Sequence, residues 1–244
     1  IVSFFKDEQV VGAFLNGFIF VIIGFLFQKF EEKNNYEKFL IILFVSFAIL
    51  SMIFTGERSN TIKLFFGLAI FFYFNDKIKF KHKVIFVFSF IFLFLIIYNY
   101  FLSTGGKNHI KHRYYNDLVQ RIIIKEKREN YIYFTLYKSG IEVFKLNPIF
   151  GVGNKNYRVE SCLKENRKSS NYLCATHPHQ IYLEFLSEHG LFGTLILLSI
   201  LFYLIFKVLK VIVISKNYVQ LGCFLYLILV FTPLIPGGSF FNDF

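Results

Sequence analysis

Five apolar runs, each long enough to cross a lipid bilayer, govern what this chain can become. Covering roughly 30 Å of hydrocarbon at 1.5 Å per residue takes about 20 predominantly apolar residues. Residues 10–28, 38–55, 84–103, 190–214 and 217–235 each supply such a run. A sixth run, 61–75, is shorter and carries Lys63, which must snorkel or face protein. Composition agrees: 55% of the 244 residues are apolar and only 18% are charged, against roughly a quarter charged in a soluble domain. The same figures exclude a disordered, collagen-like, coiled-coil or small disulfide-stapled chain. The expected fold is all-α, a polytopic integral membrane protein with about six spans.

Lysine and arginine in short loops mark the cytoplasmic side. Lys29, Lys33 and Lys38 follow the first run, and Lys77, Lys79, Lys81 and Lys83 crowd the link between the third and fourth. Lys207, Lys210 and Lys216 lie between the fifth and sixth. With six spans, all three clusters fall on one face. The opposite face then holds the N-terminal stub, the turn around Arg58 and the long segment 104–189. This divides the chain into 1–103 with four spans, an extracytoplasmic loop over 104–189, and 190–244 with two spans. Dropping the short third span would put the later clusters on the wrong side. The chain opens Ile1-Val2-Ser3, its single methionine is Met52, and it closes on Asn242-Asp243-Phe244. It reads as an internal piece of a longer membrane protein, and its first residues lack the pattern of a signal peptide.

Segment 104–189 is the only sizeable polar stretch. It holds fourteen of the 27 basic residues against eight acidic ones, and five of the six histidines. Two readings of that charge are open: a solvated loop over anionic headgroups, or a site for a polyanion bound by arginine forks. Long translocated loops are exempt from the lysine rule, so the charge does not contradict the topology. Apolar residues at three- and four-residue spacing predict a helix from about Tyr115 to Lys145, stopped by Asn147-Pro148. A second amphipathic helix runs from near Pro178 to Gly190. Cys162 and Cys174 fall in this loop, either as a disulfide or as two free thiols. The Cys and His spacings match no common zinc pattern, so no metal site is expected.

One stretch in the loop stands out: His177-Pro178-His179-Gln180, then, after nine intervening residues, Gly190-Leu191-Phe192-Gly193 leading into a span. Upstream stands Asn147-Pro148-Ile149-Phe150-Gly151-Val152-Gly153. A His-Gln pair, a fixed gap and Gly-x-x-Gly, preceded by Pro-x-x-Gly-x-Gly, closely resembles the signature of the O-antigen ligase/polymerase superfamily. Phe4-Phe5-Lys6-Asp7-Glu8-Gln9 ahead of the first span is similar to it as well, more weakly.

The resemblance implies a GT-C-like membrane glycosyltransferase. Such enzymes take a glycan from undecaprenyl pyrophosphate at the outer face of the bacterial inner membrane. Ligases pass it to lipid A–core, polymerases to another carrier-linked repeat. No metal or other cofactor is implied, and the partners are the lipid-linked donor, the acceptor and membrane lipids, with no nucleic acid. The family's histidine maps onto His179. Its helix-borne arginine maps onto Arg58, within Arg58-Ser59-Asn60-Thr61-Ile62, where the family often shows Arg-x-x-x-Leu. A second arginine usually stands about four helical turns before the Pro-x-x-Gly-x-Gly segment. That count reaches Tyr133, so Arg128 is the nearest candidate, with Arg121 behind it. His177, Gln180, Gly151 and Gly153 complete the expected substrate-binding set.

Elementary chemistry supports these roles separately. A leaving sugar pyrophosphate gathers negative charge, which fixed guanidinium groups stabilise without a change in protonation. An attacking hydroxyl needs a base that works near pH 7, which imidazole supplies. A protein O-oligosaccharyltransferase would use the same chemistry. A transporter or channel is the rival class, but it would place ionisable groups within the spans rather than in the loop. With single cysteines at positions 58, 79 and 179, a membrane-impermeant maleimide added to intact spheroplasts should label the first and last and spare the middle one.

Overall fold

The structure is a computed structural model that describes residues 11–76, 78–80, 83–84, 88 and 131–240. Among these residues every regular element is helical. They are α1 (Val11–Gln28), α2 (Asn35–Thr55), α3 (Arg58–Phe74), α4 (Ile132–Leu146), α5 (Tyr157–Cys162), a short 3-10 turn (Asn166–Lys168), α6 (Ile181–Ser215) and α7 (Tyr218–Val230). Nearly all of the expected span 84–103, and the part of the predicted loop helix before residue 131, lie outside the described residues. Two compact units emerge: residues 1–120 with 208–229, and residues 121–207 with 230–244.

In the first unit, α1 and α2 are long and apolar enough to cross a membrane, as is α6 by its length and composition. They show large apolar side chains on the outside: Phe25 is 70% exposed and Phe47 69%. Such faces suit a lipid surround. Inward, Phe20, Ile23, Ile49, Met52, Leu64, Phe71 and Leu225 close a core. Lipid offers helices no hydrophobic push toward each other, so close backbone approach at small residues takes over. A Cβ on Gly24 would lie 2.3 Å from the Tyr218 carbonyl oxygen, and one on Gly222 would lie 2.2 Å from that of Phe20. These two glycines let α1 and α7 cross in direct backbone contact.

Helix ends follow their residues. Asn34 and Glu37 form a reciprocal capping box at the start of α2, and Gly56 ends it in the left-handed conformation (φ 72°). The turn leads straight into α3, a 17-residue helix that covers most of the run 61–75. The last helix is shorter than the sequence pattern suggests. α7 has 13 residues and stops at Val230, because Pro233 and Pro236 lack the amide hydrogen a helix needs and Pro233 disfavours helical backbone at Thr232.

In the second unit α4 packs on α5 and meets the first turn of α6 where Gly140 faces Leu183. Leu136, Val143, Tyr157, Ile181 and Phe185 are each buried. Tyr157 donates its hydroxyl to Ser139 Oγ at 3.0 Å, and burial pushes its phenol up to about 12. Cys162, the last residue of α5, is disulfide-bonded to Cys174, with their Cα atoms 4.4 Å apart. This ties α5 to the strand of chain that runs into His177.

α6 is continuous in its hydrogen bonding except at Gly190, whose φ of 64° and ψ of −170° break the helix. The break deprives Leu191 and Phe192 of their helical acceptors, and strips Ser187 and Glu188 of their helical donors. The Asn147–Gly153 turn supplies both. Leu191 N donates to Pro148 O (2.8 Å) and Phe192 N to Ile149 O (3.1 Å), while Val152 N donates to Ser187 O and Gly153 N to Glu188 O (both 2.9 Å). The two chains approach so closely that a Cβ on Gly151 would lie 2.3 Å from the Glu188 carbonyl carbon. A Cβ on Gly190 would lie 2.3 Å from the Ile149 oxygen. The two glycine motifs of the sequence are thus the two halves of one junction. Gly151→Ala or Gly190→Ala should each destabilise the protein by at least about 2 kcal/mol through strain and clash, visible as a lowered thermal midpoint in detergent.

Candidate functional site

The turn ahead of α6 is where the chemistry-bearing side chains gather. Gln180 is its N-cap: the side-chain oxygen accepts from Leu183 N at 2.9 Å, and the side chain is buried. That satisfies one of the amides a helix start leaves open. Helical backbone therefore begins two residues after His179, which sits in the left-handed region at φ 55°. Few residues other than glycine accept that conformation, and it recurs where a surrounding structure over-determines a functional side chain. Gly140 of α4 makes room for the turn, since a Cβ there would lie 3.0 Å from the Pro178 ring.

His179 Nδ1 lies 3.2 Å from the carbonyl oxygen of Gly237. A carbonyl can only accept, so Nδ1 carries the hydrogen and Nε2 is left as the basic nitrogen of the neutral ring. Gly237 N in turn donates to His179 O at 2.9 Å. The His177 ring stands 4.1 Å from the His179 ring, and His177 Nδ1 is 2.9 Å from Thr176 Oγ1. Tyr133 of α4 meets His179 edge-on at 5.8 Å. Burial lowers both imidazoles from their usual value of 6.5, His177 to about 4, where the neighbouring His179 adds to the effect. For His179 burial is again the larger cause, opposed by the bond to Gly237.

The structure brings together His177, His179 and Gln180 of the expected set. Gly151 and Gly153 hold the helix junction through their backbone. Arg58 opens α3 in the first unit, half-buried, behind a polar cluster in which Glu57 accepts from Gly12 N (2.8 Å) and Asn60 Nδ2 (2.7 Å). Arg121 and Arg128 lie outside the described residues. Among the described residues no group of three or more His, Cys, Asp or Glu is arranged to hold a metal.

Sequence reasoning passed over three contributors. Glu184 and Glu188, one turn apart, look like a solvent stripe, yet each is only 2% exposed. Glu188 accepts from Lys155 N at 2.9 Å. Glu184 accepts from the Ser239 hydroxyl and from Phe240 N. The third is the segment carrying Gly237 and Ser239, which lies beyond the last apolar run and to which the sequence assigns no role.

Residues 43–198 match the family model for O-antigen ligase. The match runs over more than half of the chain and includes Arg58, both glycine motifs and the His177–Gln180 turn. The chain belongs to the O-antigen ligase family. Comparison with curated proteins and with solved structures finds no match. Membership places this helical membrane protein among enzymes that transfer glycans as ligases or polymerases. Within the matched stretch lies His179, its Nδ1 held by the Gly237 carbonyl. With both imidazoles lowered by burial, they stay neutral at pH 7. Were either imidazole the base of the reaction, transfer would hold level above about pH 6.5 and decline only below it, as the ring is protonated; a pH–rate profile of the purified enzyme checks this, and a rise continuing above 6.5 would exclude a neutral imidazole base.

Proposed function

We propose that this protein transfers a glycan from undecaprenyl pyrophosphate to an acceptor hydroxyl at the outer face of the bacterial inner membrane, with His179 as general base. The observation that carries the reading is the bond from His179 Nδ1 to the Gly237 carbonyl. It directs the free lone pair to Nε2 in a family whose reaction needs a hydroxyl activated. In the reaction Nε2 removes the acceptor hydroxyl's proton as its oxygen attacks the anomeric carbon. The bond from that carbon to the pyrophosphate oxygen breaks with its electron pair, and undecaprenyl pyrophosphate leaves. The imidazolium then releases its proton to solvent.

Arg58 stabilises the departing pyrophosphate in this scheme. Its place at the first position of α3 adds the partial positive charge of a helix start to that of the guanidinium. Arg128 supplies the second guanidinium, with Arg121, His177 and Gln180 lining the donor site and no metal taking part. Gly151 and Gly153 serve the site by fixing the junction beneath the turn. A disulfide between Cys162 and Cys174 suits an oxidising compartment, which supports placing this unit outside the cytoplasm.

The ligase and polymerase versions differ only in acceptor, and the surface glycolipids of a deletion strain separate them. Capped single repeats signify a polymerase; long chains held on the carrier signify a ligase. Returning the gene with His179→Ala should restore no transfer while the protein still reaches the membrane. Arg58→Lys, which keeps the charge but loses the fork, should reduce transfer about tenfold or more. Full complementation by His179→Ala would remove the histidine from the mechanism.

A further inference from the structure

The base of this site is oriented by a stretch of chain with no secondary structure of its own. Residues 231–240 form neither helix nor strand, yet Gly237 must stay within hydrogen-bond reach of His179. Two adjacent glycines, Gly237 and Gly238, give the stretch more conformational freedom than any other pair would. Something outside it must hold it still.

Its fastenings are specific. Tyr182 donates its hydroxyl to Phe231 O at 2.7 Å at the near end. At the far end the Phe240 ring meets Phe185 edge-on at 5.2 Å. Between Gly238 and that ring, the Glu184 carboxylate receives the Ser239 hydroxyl on one oxygen and Phe240 N, at 2.8 Å, on the other. A carboxylate almost wholly removed from solvent is costly unless its oxygens are satisfied, and both of these are used on one short segment. Glu184 sits on the first turn of α6, rigidly connected through the Gln180 cap to His179. Helix, carboxylate, strap and imidazole therefore form a closed loop of contacts.

We propose that Glu184 is a positioning residue for His179: by anchoring Ser239 and Phe240 it keeps the Gly237 carbonyl on Nδ1 and so decides which ring nitrogen is the base. The inference rests on the reading of His179 as general base, and it adds a residue that never meets the substrate. A carboxylate accepts from both donors at once. Glutamine retains an acceptor for Phe240 N and can donate to a reoriented serine hydroxyl. Alanine retains neither.

The test uses the full-length protein in lipid nanodiscs with 15N-labelled histidine at neutral pH, His179 being assigned by its disappearance in His179→Ala. The wild type should show His179 as a single neutral tautomer protonated at Nδ1. Glu184→Ala should convert that signal to a mixture and lower glycan transfer in cells about tenfold or more, as loss of the correct tautomer does in other histidine-based sites. Glu184→Gln should keep the wild-type tautomer and transfer within about threefold. Ser239→Ala removes one donor and leaves the carboxylate in place; it should give an intermediate tautomer ratio and decides the matter should Glu184→Ala fail to accumulate. A single Nδ1-protonated tautomer persisting in both Glu184→Ala and Ser239→Ala would overturn the proposal. Retained transfer in His179→Ala would instead overturn the catalytic reading, and the tautomer spectra would still judge the anchoring.

Discussion

Gly190 interrupts a helix where an interruption is most expensive. Four backbone groups lose their helical partners at the point where a polar segment meets an apolar one, and hydrocarbon offers no water to replace them. The Asn147–Gly153 turn resolves this by exchanging two hydrogen bonds in each direction with the broken helix. Everything nearby inherits its position from that exchange. The first turns of α6 acquire a fixed direction relative to the apolar run that follows. The Gln180 cap, the left-handed His179 and the buried pair Glu184 and Glu188 are all carried on those turns. A continuous helix would need no such turn and would leave the two glycine motifs without a reason to coexist.

Much of this could be read from residue order. Lipid imposes one requirement over a long window, so the runs 10–28, 38–55 and 190–214 map closely onto α1, α2 and the part of α6 beyond Gly190. The stop at Asn147-Pro148 and the helix before Gly190 were equally legible, because proline and glycine act locally. The final run was not. Apolar content continues to residue 235 whereas the helix ends at Val230; hydropathy does not register that two prolines withdraw the donors a helix requires. In the candidate site, the turn that carries His179 was marked by its motif. Glu184 was not, since carboxylates at i and i+4 have the pattern of a solvated face, and its donors arrive from residues 239 and 240. Tyr133 is a further case. Counting back along the chain for an arginine ends on this tyrosine, and the same residue meets His179 through its ring edge.

The two units solve different problems with the same few devices. In the first, glycines at 24 and 222 let helices touch where lipid gives no drive to associate. In the second, glycines at 151 and 190 let a turn lie inside a helix break. Polar groups are handled in related ways: Glu57 in one unit gathers the distant amide of Gly12 and the neighbouring side chain of Asn60, and Glu184 in the other takes both its donors from residues 239 and 240. In the second unit the buried acceptor Glu184 thus acts as a fastener for irregular chain, which is the part of a membrane protein that periodicity describes least well.

The left-handed backbone at His179 has a consequence for how variation at this position should be interpreted. Valine, isoleucine and threonine would suffer twice there, losing the imidazole and straining the peptide, so their phenotypes mix chemistry with conformation. Asparagine tolerates the same dihedral region and has a comparable reach. Among the few side chains that this backbone readily admits, only one can also shuttle a proton near neutrality.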